Sequence, residues 1–336
     1  MSATSKPGNS SPSRFTSRWI ARMHSRADEV AKNVQGYFAS EWPWSTLEER
    51  DKFLTSDLEW CMLSILPDAL DDRIELAVML ADLMFLIDDA MDYWSQDQAK
   101  AFFKQFQGLV LGLTDPAEKE HDPIQKLVKT LFTQVLSTDE GDPRRLGARF
   151  CQEICRWFIV ASSKKDRSNA LADLERYLQY RFVDAAIWSA HALMRWSCDI
   201  NLASYMREDP DIILLEETAG RHSILNNDLF SYDREIAVAA QENVSEMSKN
   251  VMNAVSIVER QQKCSKDDAM NYLLEYIADL EEKFMVIEQE AKRKYSGEDL
   301  ETVEKYSTAL KSICTGNIAW SSFCGRYNQT EERGEY

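Results

Sequence analysis

From Ala27 onward, apolar residues recur three and four positions apart, as in Leu171, Leu174, Leu178 and Phe182, or in Met270, Leu273, Leu274, Ile277 and Leu280. That period lays them along one face of an α-helix and predicts amphipathic helices packed around a shared core. No alternating apolar and polar run leads into Asn-Gly or Asp-Gly, as a β-hairpin would, and no glycine-rich phosphate loop occurs. The fold class is therefore all-α. Breaks at Trp42-Pro43-Trp44, Thr114-Asp115-Pro116, Gly141-Asp142-Pro143, Glu208-Asp209-Pro210 and Ser296-Gly297 divide the chain into roughly ten helices. No shift of composition marks a second domain and no internal repeat marks a solenoid, so one domain is expected over residues 28–336.

Residues 1–27 read differently. They carry Lys6, Arg14, Arg18, Arg22 and Arg26, many serines and no acid, and are expected to form a disordered basic tail leading into the first helix. A mitochondrial transit peptide shares that composition; the plainer expectation is a tail on a cytoplasmic protein.

The chain as a whole is acidic: 336 residues hold 39 Lys and Arg against 56 Asp and Glu, a net charge of -17. Nucleic acid is a poor partner for such a surface, because phosphate backbones are met by a surplus of basic residues. A phosphorylated small molecule would need a cation between it and the protein. No apolar stretch approaches the ~20 residues of a membrane-spanning helix, so no stable membrane anchor is expected. The seven cysteines are scattered through apolar stretches and read as reduced and buried. Cys151 and Cys155, without a neighbouring His pair, do not read as a zinc site.

Two clusters carry chemistry. Phe85-Leu86-Ile87-Asp88-Asp89-Ala90-Met91-Asp92 closes a strongly apolar run; Asp88 and Asp92, four apart, share one helix face, with Asp89 beside them. Stacked like charges repel unless water or a divalent cation lies between them. Asp71-Asp72 and Asp267-Asp268 look similar but stand at helix starts, where acids complement the dipole and Ser265 opens a capping box. The Asp88 cluster stands instead at a helix end, where the dipole disfavours it. The second cluster is Asn227-Asp228-Leu229-Phe230-Ser231-Tyr232-Asp233-Arg234-Glu235. Its Asn227, Ser231 and Glu235 place an amide oxygen, a hydroxyl and a carboxylate on one helical stripe, a donor set suited to Mg²⁺. Either cluster alone also reads as an ordinary solvated helix face.

Together they resemble the aspartate-rich motif and the Asn-Ser-Glu triad of class I terpenoid cyclases, and the chain is similar to microbial sesquiterpene synthases of fungal or bacterial type. Two further segments match that family in order. Arg181, followed by Asp184 and Ala185, resembles its pyrophosphate sensor, linker and effector, although relatives often have Gly or Ser at the last position. Residues 316–327 end in its Arg-Tyr pair, Arg326-Tyr327. Arg234 stands where Lys is common.

The resemblance implies a single-domain helical bundle around a central cavity, and three Mg²⁺ ions. Asp88, with Asp92 or Asp89, would hold two of them, and Asn227, Ser231 and Glu235 the third. Arg181, Arg234, Arg326 and Tyr327 would grip the diphosphate of a linear prenyl substrate, most plausibly farnesyl diphosphate, in a monomer or homodimer. Asp88, Arg181, Asp184 and Ala185 would trigger ionisation. Phe85, Phe182, Trp188 and Trp320 are candidates for the cavity wall. Two rivals are a chain-elongating prenyltransferase, whose second cluster would also be aspartate-rich, and a helical scaffold that has lost catalysis.

Overall fold

A computed structural model describes residues 16–91, 96–113, 122–161, 170–241 and 251–328. Among them are fourteen helices and no strand: α1 (Ala27–Glu41), α2 (Leu47–Leu54), α3 (Leu58–Ile65), α4 (Ile74–Met91), α5 (Gln96–Val110), α6 (Pro123–Ser137), α7 (Leu146–Ala161), α8 (Leu174–Asp184), α9 (Ile187–Ser197), α10 (Ser204–Arg207), α11 (Pro210–Gln241), α12 (Ala254–Gln262), α13 (Lys266–Lys294) and α14 (Gly297–Phe323). None is long and apolar enough to cross a membrane. Many starts are set locally, where the side chains of Thr46, Asp122, Asp173, Asn253 and Ser265 accept first-turn amides. Each such cap is worth about 1 kcal/mol.

The predicted breaks at Pro43, Gly141, Pro210 and Gly297 all separate helices, whereas Thr114-Asp115-Pro116 lies outside the described residues. The count exceeds ten because further breaks are made without proline or glycine. Asp57, Ala186, Asp199 and Lys263 take positive φ between α2 and α3, α8 and α9, α9 and α10, and α12 and α13.

Two apolar clusters form the core. One gathers α1, α3 to α7, α9 and α14; the other gathers α8, α12 and the first half of α13. The long helices α11 and α13 run through both, packed on each other, while α14 packs on α3. All seven cysteines are free, as expected.

Residues 16–26, assigned to the tail on sequence, lie as an irregular strap across α13 and the connection between α3 and α4. Ser17 and the Arg18 amide donate to buried Glu281 at 2.5 and 2.9 Å. The Trp19 ring packs edge-on against Phe284 at 5.2 Å, and Arg22 pairs with Asp68. Glu281 also faces His222 of α11, 3.4 Å away. Burial opposes charging that imidazole, but Cys314 and Glu281 outweigh it and push its pKa up to about 9.

Candidate active site

The predicted motifs come from four segments, and contacts among their described residues tie these segments to one another. Asp88 and Asp89 are exposed in the last turn of α4; Asp92 lies outside the described residues. Asn227, Ser231 and Glu235 follow one another at helical spacing along α11. Arg181 and Asp184 close α8. Arg326 and Tyr327 stand in the turn after α14.

Side chains tie these segments together. The Arg326 guanidinium lies 3.7 Å from Asp89 and over the Phe85 ring at 5.7 Å. The Asn227 amide donates to the Tyr327 hydroxyl at 2.7 Å, which leaves the Asn227 carbonyl oxygen for another partner. Arg181 pairs with Asp184. Its charge is opposed by burial but upheld by Tyr177, Asp228 and Asp184, so α8 addresses α11 beside the triad. Gly220 permits that approach, since a β-carbon there would overlap the Phe182 ring.

Ser231 is 3% exposed, and its hydroxyl is a buried polar atom with no hydrogen-bond partner. A buried hydroxyl left so is costly, and an oxygen in line with an amide and a carboxylate is what a hard cation with water or phosphate ligands would complete. The donor set therefore fits Mg²⁺. Only one of the three is a carboxylate, and among the described residues no group of three His, Cys, Asp or Glu side chains converges.

The arginines keep unused capacity. Burial, then Arg326, pulls the Arg234 pKa down, and the buried Arg181 Nε has no acceptor. Such a group of arginines has the charge and the spare donors to hold an anion. Tyr327 is pushed up to about 12 by burial, with Arg326 acting against it, so its proton stays on.

Sequence reasoning missed the support behind the triad. Asn253 is fully buried; its carbonyl oxygen caps α12 at Val255 N, and its amide donates to the Asp228 carbonyl at 2.9 Å and to Glu235 Oε2 at 3.2 Å. Asp228 is buried too, where its carboxylate accepts from Tyr177 at 2.5 Å and from Ala254 N at 2.8 Å. Asn253 just ahead of the apolar run Ala254-Val255 was readable as a helix cap, but not as a partner of Glu235. Among the wall candidates, Phe182 packs against Trp188 at 4.8 Å. Trp320 is 2% exposed, with its ring 5.4 Å from Tyr327 and its indole N–H on the Asp57 carbonyl. Ala185 caps α8, and Asp184 O accepts from Trp157 at 3.0 Å.

An all-helical bundle that brings together an acidic helix end, an Asn-Ser-Glu stripe and three arginines has the make-up of a terpene synthase. Comparison with known proteins agrees. The chain belongs to the terpene synthase family 2, C-terminal metal binding, whose profile matches residues 80–283. It is 25% identical to (+)-aristolochene synthase of Penicillium expansum over 91% of this chain and 88% of that one. Terpene cyclase 6 of Gibberella fujikuroi is 27% identical over 94% of this chain and 81% of its own. Among solved structures, aristolochene synthase from Penicillium roqueforti superposes with a TM-score of 0.75 at 23% identity, covering 92% of this chain and 99% of that chain. The expected all-α, single-domain synthase fold is thus observed.

Proposed function

We propose that the chain takes farnesyl diphosphate, ionises it to diphosphate and an allylic carbocation in the presence of Mg²⁺, and closes the cation into a ring that loses a proton to give a cyclic sesquiterpene hydrocarbon, or takes up water and loses a proton to give an alcohol. The observation that carries this reading is the turn at Arg326 and Tyr327, which touches Asp89 and Phe85 on α4 and Asn227 on α11 at once. A diphosphate placed there would lie beside Arg326, Tyr327, Asp89 and Asn227.

In this reading Asp88, Asp89 and Asp92 hold two Mg²⁺ ions, and Asn227, Ser231 and Glu235 a third. Bound Mg²⁺ supplies the positive charge that stabilises the departing diphosphate oxygens. The chain's own groups do the rest. Arg181, Arg234 and Arg326 bind and orient the diphosphate, Arg181 exchanging Asp184 for it, with Ala185 at the helix end that this exchange disturbs. Tyr327 keeps its proton and donates it in a hydrogen bond. Phe85, Phe182, Trp188 and Trp320 exclude water from the cation, and an aromatic face offers it about 0.5 to 2 kcal/mol. Relatives named aristolochene synthase, matched along most of both chains, support a sesquiterpene product. An Asn-Ser-Glu second cluster favours cyclisation over chain elongation.

The test is incubation of purified protein with geranyl, farnesyl or geranylgeranyl diphosphate and Mg²⁺, with pyrophosphate release and product mass spectra as readouts. Farnesyl diphosphate is expected to yield a cyclic product. Release from none of the three would overturn the assignment, and consumption of isopentenyl diphosphate would establish the elongating alternative instead. Asp88→Ala and Glu235→Ala should each abolish turnover with the helical circular dichroism unchanged; full activity in either would remove the metal assignment.

A further inference from the structure

Asp57 stands at the N-cap of α3, where an aspartate ordinarily accepts an amide of its own first turn. It does not: no side-chain cap bond forms, and its backbone sits at φ 58 and ψ 32, a left-handed conformation that disfavours residues bearing a β-carbon. Local capping is given up for a contact 268 residues along the chain, where the Asp57 carboxylate accepts the Gly325 amide at 2.9 Å. The Asp57 carbonyl accepts the Trp320 indole N–H at 2.6 Å. The two backbones also touch, since a β-carbon on Gly325 would overlap the Thr55 carbonyl oxygen.

Gly325 immediately precedes Arg326 and Tyr327. Helix α14 has ended at Phe323, and the turn that carries both side chains has few bonds of its own: Tyr327 N and Asn328 N to Cys324 O, at 3.3 and 3.2 Å, and Asn328 Nδ2 to Cys324 O and Ser321 O. Without an outside anchor such a turn is free to sample positions from which neither the guanidinium nor the hydroxyl reaches α4 and α11. The loop between α2 and α3 supplies that anchor at three points: the indole, the amide and the backbone contact.

We propose that Asp57 is a positioning residue for diphosphate binding, acting by fixing the Gly325 amide so that Arg326 and Tyr327 face Asp89 and Asn227. This rests on the diphosphate-site reading above. It assigns a role to a residue that lies ahead of the segment matched by the family profile, in a loop with no chemistry legible in its sequence.

The experiment compares wild type, Asp57→Gly and Asp57→Asn, with inorganic pyrophosphate plus Mg²⁺ titrated calorimetrically and steady-state kinetics run alongside. Glycine suits the left-handed backbone and removes only the carboxylate; asparagine also tolerates that backbone and keeps an acceptor oxygen. Pyrophosphate should bind Asp57→Gly about tenfold more weakly and KM should rise, while Asp57→Asn recovers most of the affinity. In an Arg326→Ala, Tyr327→Phe background Asp57→Gly should cause no further loss, because the side chains it positions are gone. Equal pyrophosphate affinity in wild type and Asp57→Gly, or an additive loss in that background, would overturn the role. Wild type that binds no pyrophosphate would refute the diphosphate site itself, and with it this role; wild-type binding with an unaffected Asp57→Gly would refute the role alone.

Discussion

Glu59 offers a test of how the fold around this anchor depends on pH. Its side chain is 1% exposed on α3; Oε1 accepts from Gln35 at 2.5 Å and Oε2 has no partner. Burial, with Asp57 nearby, pushes the carboxyl from 4.5 up to about 7. At about 1.4 kcal/mol per pH unit between those values, ionising Glu59 inside the fold costs about 3 kcal/mol. The raised value fixes the sign. The protonated form belongs to the folded protein, so its stability is full below the unfolded pKa and is lost as pH rises through about 7. Glu59→Gln keeps the shape and cannot ionise. Urea denaturation followed by circular dichroism should find the variant more stable by about 1 kcal/mol near pH 5, growing to about 3 kcal/mol near pH 8.5. Asp82, fully buried with neither oxygen partnered, is held well above the carboxylate range by burial and then by Glu59; relieving it adds to the gain in the same direction. A difference that stays constant with pH, or a variant less stable at the alkaline end, would refute the reasoning.

Other expectations follow from the site and its supports. Ser231→Ala removes a hydroxyl that bonds nothing in the protein, so the melting temperature should hold or rise while kcat/KM falls at least about 100-fold; unchanged kinetics would deny Ser231 a ligand role. Asn253→Ala removes the α12 cap and a bond to Glu235; about 1 to 2 kcal/mol of stability and about 10-fold in Mg²⁺ affinity should be lost, read by urea denaturation and by Mn²⁺ titration under electron spin resonance. Gly220→Ala drives a methyl into the Phe182 ring, which should cost about 1 to 3 kcal/mol and reduce activity by shifting Arg181; a neutral outcome in both assays would show that α8 yields freely. His222, raised to about 9, contributes stability that is full below the unfolded imidazole pKa and lost as pH rises through about 9; His222→Gln should flatten the alkaline limb of the stability profile.

The motifs that gather at the candidate site were legible because their pattern is local. Asn227, Ser231 and Glu235 need only helical spacing to fall in line, and Asp88 stands out by its place at the end of an apolar helix. What escaped is made by tertiary approach. Nothing near Asp57 in the sequence announces Gly325, and nothing near Tyr177 announces Asp228. Helix boundaries failed for a related reason. Proline and glycine mark breaks in a sequence, but Asp57, Ala186, Asp199 and Lys263 hold positive φ with ordinary side chains, and only packing enforces that. Trp320 illustrates a middle case: its place two turns before Tyr327 suggested a cavity wall, while its indole N–H is spent on the Asp57 carbonyl.

The strap over α13 bears on the order in which the protein can be completed during synthesis. Ser17 is synthesised 264 residues ahead of its partner Glu281. Closing so long a loop costs little more entropy than closing a moderate one, because the penalty grows only with the logarithm of length. The delay is the larger effect. Until α13 has emerged, Trp19 lacks Phe284, and His222 lacks the carboxylate that holds its proton. The nascent chain therefore carries an unfinished seam at residues 16–26 until α13 has been made, and closing it joins the earliest described residues to one of the latest described helices.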